Sequence, residues 1–152
     1  MKKQIAYRNL PQRLLKAREC LMAHFRPVLQ HYGVTEQQWR VLRILDEHGQ
    51  LEPREIGHLC HIQSPSMAGV LARMELLDLI VRTRSSTDQR RVLVRLAAQG
   101  QQLVGVMAPL IDTQYQYLEE AIGKPVLDDL FKVLESFIAA QDVRVKKVAL
   151  PE

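Results

Sequence analysis

The feature that most constrains this chain is a change of hydrophobic period near residue 78. Before that point apolar residues recur at the three- and four-residue spacing of amphipathic helices, whereas residues 79–84 and 91–96 alternate between the two faces of an extended strand. Between these runs, residues 85–89 are polar and turn-prone. The sequence therefore predicts a mainly α-helical chain with one small β-hairpin.

Long helices are expected at both ends of the chain. Apolar residues between about 10 and 32 follow helical spacing, and Gly33 can end that helix in a left-handed conformation. Thr35 and Gln38 have the spacing of a capping box, which predicts a second helix. After the hairpin, a long helix is expected to end at Gly123 and Pro125, before a last helix that runs to about residue 141.

Two short helices lie between the second helix and the hairpin. Pro53 suits the first turn of one, whose buried side is predicted to comprise Ile56, Leu59 and Cys60. Ser64 is predicted to cap the other, and its apolar side comprises Met67, Val70, Leu71, Met74 and Leu77. A tight helix pair followed at once by a hairpin is a much more specific pattern than either feature alone.

Positive charge is concentrated on the hairpin. The chain has 21 Lys and Arg against 17 Asp and Glu, and residues 82–95 hold five arginines but a single acid, Asp88. Because a DNA duplex carries closely spaced phosphates, arginines on a projecting hairpin can follow its backbone or enter a narrow minor groove. An ordinary solvated surface would explain the charge alone, but the preceding helix pair favours DNA binding.

The helix before the hairpin has small and hydrogen-bonding groups in its first turns, which is typical of a helix that enters the major groove. We predict DNA contacts from this helix through Gln63, Ser64, Ser66, Met67, Gly69 and Arg73. From the hairpin we predict contacts through Arg84, Ser86, Asp88, Gln89, Arg90 and Arg91.

Residues 64–100 resemble the recognition helix and wing of the MarR family of bacterial regulators. The positions that match are Ser66, Leu71, Glu75, Leu79, Arg82, Asp88, Arg90, Leu96 and Gly100. Two positions depart from the pattern, since Asp78 stands where the family usually has Gly and Ala97 where it usually has a helix-capping Thr. Within the family, residues 14–45 are similar to the HpaR subfamily, whose members regulate homoprotocatechuate catabolism.

The resemblance implies one MarR-type domain over residues 1–152. Its winged helix-turn-helix lobe would cover about residues 35–98, with dimerisation helices at about 8–32 and 98–141. Such a homodimer places its recognition helices on successive major grooves of a pseudo-palindromic operator. The resemblance further implies a repressor of an aromatic-compound catabolic operon, released by a small aromatic or hydroxypyridine carboxylic acid, and it implies no cofactor.

A ligand site is predicted where the first two helices meet. Arginine can hold a carboxylate through two hydrogen bonds, and aromatic side chains can cover a ring. The candidate residues are Arg18, Met22, Phe25, Trp39, Arg40, Arg43, His58 and His61. Two alternatives stay open: Trp39 can be an ordinary core residue, and the helix arginines can pair with Glu19 or Glu36.

Other functions have weaker support in the sequence. His58, Cys60 and His61 lie close together, but no further ligands follow at zinc spacing, so we expect no metal. Redox sensing by Cys20 or Cys60, or a ligand-insensitive regulator of the same fold, are the alternatives, although neither cysteine has a nearby resolving partner. Phosphate loops and nucleophile elbows are missing, so we expect no enzyme. Without a secretory signal or an apolar membrane span, the protein is expected in the cytoplasm, off the membrane.

Overall fold

The computed structural model describes Met1 and residues 4–152, and its elements follow the predicted order. They are α1 (Leu10–His31), α2 (Glu36–His48), β1 (Gln50–Leu51), α3 (Pro53–Cys60), α4 (Ser64–Leu76), β2 (Ile80–Arg84), β3 (Val92–Leu96), α5 (Ala98–Ile122) and α6 (Lys124–Ala139), followed by a 3-10 turn at Ala140–Asp142. The predicted fold class, mainly α with a winged helix-turn-helix, is confirmed.

The chain forms two compact units, Met1–Asp112 and Thr113–Glu152. The first contains α1 to α4, the sheet and the beginning of α5. The second contains the end of α5, α6 and the C-terminal tail, which has no regular structure after Asp142.

Capping signals fix the ends of the N-terminal helices as predicted. The Thr35 hydroxyl accepts a hydrogen bond from the Gln38 N–H, and the Gln38 side chain accepts one from the Thr35 N–H, both at 3.1 Å. Gly33 and Gly49, which follow α1 and α2, have φ angles of 66° and 79° that other residues rarely adopt. The predicted cap at Ser64 is wrong by one position, because Ser64 is already helical and the N-cap residue is Gln63.

Asp78 preserves the turn that a glycine would make after α4. Its φ is 57°, in the left-handed region that Asp tolerates better than most residues. The Asp78 N–H donates to the Glu75 carbonyl and the Leu79 N–H to the Met74 carbonyl, each at 3.0 Å. The residue that departs from the family pattern at this position therefore still makes a left-handed turn between α4 and β2.

The sheet has a third strand that the hydrophobic pattern did not reveal. The strand order is β1-β3-β2, and both pairings are antiparallel. Val94 of the central strand β3 lies between Leu51 of β1 and Arg82 of β2. A strand of two residues is too short to show alternation, so β1 has no periodic signal of its own.

The core of the first unit joins the helices to the sheet. Its most deeply buried side chains are Leu29, Val41, Leu42, Leu45, Ile56, Leu71, Met74, Val94 and Met107. The prediction of a buried side chain is wrong at two positions, since Leu59 is 40% exposed and Leu77 is 45% exposed. On α3 the buried face passes through Ile56 and Cys60, and Leu77 follows the last turn of α4.

The second unit exposes much apolar surface. No residue of α6 is buried, and its exposed apolar side chains are Val126, Leu130, Phe131, Val133, Phe137 and Ile138. In the first unit α1 likewise exposes Leu10, Leu14, Leu15 and Leu21. Exposed apolar side chains concentrated on one helix are typical of an interaction surface. Across the described part of the chain, no helix has the length and apolar character needed to cross a membrane.

Candidate nucleic-acid interface and ligand site

One side of α4 packs on the core, and the other side is open to solvent. Met67, Leu71 and Met74 are at most 3% exposed. Gln63, Ser64, Ser66, Gly69 and Arg73 are exposed, and a side chain added at Gly69 would meet nothing within 4 Å. The prediction that Met67 contacts DNA is therefore wrong, because its side chain lies in the core. The other five predicted residues of this helix form an open surface.

The wing loop, residues 85–91, is organised by its own side chains. The Arg84 guanidinium donates to the Gln89 carbonyl at 2.7 Å. Asp88 accepts from both the backbone N–H and the Nε of Arg90, at 3.1 and 3.2 Å. The Arg90 side chain nevertheless stays 92% exposed. Asp88 thus restrains an arginine of the wing tip that remains open to solvent.

Ser85 is a structural residue of the wing that the sequence pattern did not single out. The residue is only 8% exposed. Its hydroxyl lies 3.0 Å from the Thr87 hydroxyl and accepts a hydrogen bond from the Thr87 N–H. The Ser85 N–H also donates to the Arg91 carbonyl at 2.9 Å, which closes the loop. Ser86 and Gln89 remain exposed at its surface.

Arg91 differs from Arg90 in being held by another part of the fold. Its Nε donates to the carboxylate of Glu52, which raises the pKa of the Arg91 guanidinium. Arg82 Nε lies 3.4 Å from a carboxylate oxygen of Glu75, an ion pair that is not a hydrogen bond. The wing arginines therefore differ in their partners: Arg90 pairs within the loop and stays exposed, whereas Arg82 and Arg91 pair with residues outside the wing.

The apolar members of the predicted ligand site join the core at the α1–α2 junction. Phe25 is 5% exposed, and Met22 and Trp39 are partly buried against the core. This agrees with the alternative interpretation of Trp39 as a core residue, while leaving part of its ring at the surface.

Two arginines and two glutamates form an ion-pair network beside these side chains. The Arg18 guanidinium donates to Glu36 Oε2 at 3.2 and 3.3 Å, and Arg26 Nε donates to Glu36 Oε1 at 2.8 Å. Arg26 also donates to both oxygens of Glu19. Desolvation raises the pKa of Glu36, but hydrogen bonds from Arg26 and Arg18 outweigh it and leave that pKa below its ordinary value. Arg18 is thus paired, as the second alternative expected.

The other cationic residues of the predicted site have separate partners. Arg40 donates to the Cys60 carbonyl at 2.7 Å, and its buried Nε has no hydrogen-bond partner among the described residues. Arg43 pairs with Glu47 at 3.3 Å. His58 and His61 are exposed near the end of α3. A cavity of about 830 Å³ lies at the start of α1, and the predicted ligand residues do not line it. A ligand carboxylate would have to replace existing partners of Arg18 or Arg43.

The two cysteines lie in different environments. Cys60 is buried, and desolvation raises the pKa of its thiol despite the nearby Arg40 charge, so it is a weak source of thiolate. Cys20 is exposed on α1. Among the residues that the structure describes, no three His, Cys, Asp or Glu side chains are grouped to hold a metal ion.

Comparison with known proteins identifies the family. The MarR family sequence model matches residues 34–92, from the start of the DNA-binding lobe into the wing. The homoprotocatechuate degradative operon repressor of Escherichia coli is 34% identical over 135 residues, which cover 89% of this chain and 91% of the relative. The chain belongs to the MarR family. The MarR resemblance found in the sequence is thereby confirmed.

Further relatives agree with this MarR assignment. The HTH-type transcriptional regulator FarR of Neisseria gonorrhoeae is 40% identical over 73% of this chain and 76% of its own length. The crystal structure of NadR in complex with 4-hydroxyphenylacetate matches with a TM-score of 0.76 and 36% identity, covering 90% of this chain and 97% of that one. The repressor CouR, solved bound to a 23-mer DNA duplex, matches with a TM-score of 0.78 and 26% identity, covering 86% of this chain and 92% of that one. DNA and a small aromatic acid, the two classes of partner predicted from the sequence, are thus bound by solved relatives of this chain.

Proposed function

We propose that this chain is a homodimeric repressor of an aromatic-compound catabolic operon, and that a small aromatic or heteroaromatic acid releases it from a pseudo-palindromic operator. The observation that carries the DNA-binding part is the open face of α4 next to a wing that extends Arg90 almost fully into solvent. Similarity to the E. coli homoprotocatechuate degradative operon repressor supports the catabolic role. In this proposal the protein acts in the cytoplasm, where the chromosome lies, and catalyses no reaction.

DNA binding follows from the shape and charge of these two elements. Ser64, Ser66 and Gly69 carry little bulk, so α4 can lie deep in the major groove with Gln63 and Arg73 near base edges and phosphates. Arg90 then reaches the adjacent minor groove, whose negative potential attracts guanidinium groups.

Replacing Arg90 with alanine is expected to weaken operator binding by about 1–3 kcal/mol, the usual effect of losing one arginine that contacts DNA. The Asp88 carboxylate loses its Arg90 partner as well, which loosens the wing loop. Fluorescence anisotropy with a labelled operator at fixed salt measures the change. Arg13→Ala, which removes the same charge from the first turns of α1, is the control and should bind normally. Equal affinities of Arg90→Ala and wild type would remove Arg90 from the interface.

Ligand release requires an acid that favours one arrangement of the dimer over another. In this proposal Met22 and Trp39, both partly buried at the α1–α2 junction, cover the ring, and Arg18 on α1 and Arg43 on α2 bind the carboxylate. A ligand that binds the non-DNA-binding arrangement better by about 1–3 kcal/mol reduces operator affinity roughly 5- to 150-fold. The 36% identical NadR, solved with 4-hydroxyphenylacetate, supports a hydroxylated aromatic acid of this size.

Replacing Arg18 or Arg43 with alanine is expected to leave operator affinity unchanged. The acid concentration needed for release should rise about tenfold, because a charge-assisted hydrogen bond to the ligand carboxylate is lost. Both variants are compared in the same anisotropy assay, with the exposed Lys16→Ala on α1 as a control that responds normally. If either arginine variant lost DNA binding itself, that residue would belong to the scaffold and not to a ligand site.

Redox control is the second candidate, and the exposed thiol of Cys20 is the observation that favours it. Under this alternative, peroxide releases the operator from the wild-type protein but not from Cys20→Ser.

A further inference from the structure

The wing is joined to α3 by a side-chain pair in addition to the sheet. Arg91, immediately before β3, donates from Nε to Oε1 of Glu52, which lies 39 positions earlier in the chain. Glu52 is the N-cap residue of α3, and α3 and α4 are the two helices of the helix-turn-helix. Its side chain is 27% exposed and that of Arg91 is 54% exposed.

The pair lies where the sheet is weakest. β1 and β3 share only two residue pairs, the last of which is Leu51 with Val94. Continuing that register by one residue places Glu52 opposite Leu93, so Arg91 is its diagonal neighbour on the same face. The ion pair therefore extends a very short ladder toward the wing loop.

Both residues are fixed by their own backbones. The Arg91 N–H donates to the Asp88 carbonyl at 3.0 Å, and its carbonyl accepts from the Ser85 N–H at 2.9 Å. At the other end, the Glu52 N–H donates to the Glu55 carboxylate at 3.0 Å. A displacement of Arg91 relative to α3 is thus transmitted to the loop that carries Arg90.

We propose that Glu52 positions the wing for DNA through Arg91, and that Arg91 is a positioning residue and not a phosphate contact. The proposal replaces the sequence-based prediction that Arg91 touches DNA, and it rests on the DNA-binding part of the proposed function. Glu52 had no signal in the sequence, because its partner is distant in the chain.

The direction in which Glu52→Gln changes operator affinity distinguishes the two possible roles of Arg91. Glu52→Gln removes a negative charge close to a polyanion and frees a guanidinium, so electrostatics alone predict tighter operator binding and a steeper salt dependence. Positioning predicts weaker binding, about threefold for each wing and about tenfold for a dimer that uses two. A threefold change corresponds to about 0.65 kcal/mol, within what exposed ion pairs supply.

The test compares wild type, Glu52→Gln, Arg91→Gln and the double variant by operator anisotropy at several salt concentrations. Both single variants are expected to lose about tenfold, and the double variant no more than either one, because they remove the same interaction. Asp46→Asn, an equal charge change on the exposed side of α2, should bind as tightly as wild type or more tightly. Unchanged or tighter binding by Glu52→Gln, or losses that add in the double variant, would overturn the proposal.

A second readout needs no DNA. A nitroxide attached to Ser86→Cys in a Cys20→Ser background reports the motion of the wing loop, since Cys60 is buried. Its electron paramagnetic resonance spectrum should show faster motion with Glu52→Gln than without, in protein that a thermal melt shows to be folded. Identical spectra would contradict positioning. Failure of the wild-type protein to bind any operator would instead count against the proposed function, while the spectra still test the pair.

Discussion

Alanine at position 100 is expected to lower the free energy of unfolding by about 2–3 kcal/mol, the cost of forcing an extra carbon into a packed site. A Cβ on Gly100 would lie 2.1 Å from the carbonyl oxygen and 3.1 Å from the carbonyl carbon of Leu79. Neither atom belongs to a flexible side chain, so backbone must move. The same carbonyl accepts from the Ala97 N–H at 3.0 Å, and this bond joins the start of α5 to the root of the wing.

Urea denaturation followed by circular dichroism measures this loss. Gly105→Ala is the matched control, because it makes the same change on the same helix where an added Cβ meets nothing within 4 Å. Alanine is the better helix former by about 0.8–1 kcal/mol, so Gly105→Ala should match or exceed the wild-type stability. A Gly100→Ala protein as stable as Gly105→Ala would show that α5 and the wing root do not approach so closely.

Glutamate at position 137 is expected to weaken dimerisation at least about 100-fold, since burying an unpaired charge costs several kcal/mol. Phe137 is 63% exposed and continues a stripe at helical spacing with Val126, Leu130 and Val133, on a helix that buries none of its residues. In the proposed homodimer a second copy covers this stripe. Operator affinity should fall with dimerisation, because a monomer reaches a single half-site.

Sedimentation velocity over a range of protein concentrations measures the dimer directly. Lys132→Glu makes a charge change on the opposite side of α6 and should leave the dimer intact. A Phe137→Glu protein that sediments as wild type would place the dimer interface elsewhere on the chain.

Local signals explain why so much of the fold was predictable. The capping box at Thr35 and Gln38 and the left-handed glycines at positions 33 and 49 each act through neighbouring residues, so the sequence alone shows them. The hairpin strands were visible because one face of each packs on the core. β1 was missed because two residues carry no period, and Leu59 was misplaced because short apolar runs do not settle which side of a helix is buried.

Interactions between distant residues account for what the site analysis missed. The exposed residues of α4 and the wing tip were predicted from composition and element order, but Met67 was assigned to DNA when its spacing equally suited the core. The partnership of Arg91 with Glu52 joins residues 39 positions apart. The partnership of Arg18 with Glu36, which the sequence left as one of two alternatives, joins residues 18 positions apart. No periodic pattern encodes such pairs, so which arginines remain free for DNA or for a ligand becomes visible only in three dimensions.

The central claim is that an aromatic acid releases this protein from its operator. Its most direct test is fluorescence anisotropy of DNA from just upstream of the gene, at fixed salt, with the protein bound and a panel of hydroxylated aromatic and pyridine carboxylates titrated in turn. We expect tight binding and release by one acid between micromolar and millimolar concentration. A tight complex that every acid leaves intact would contradict ligand control and favour redox or constitutive regulation.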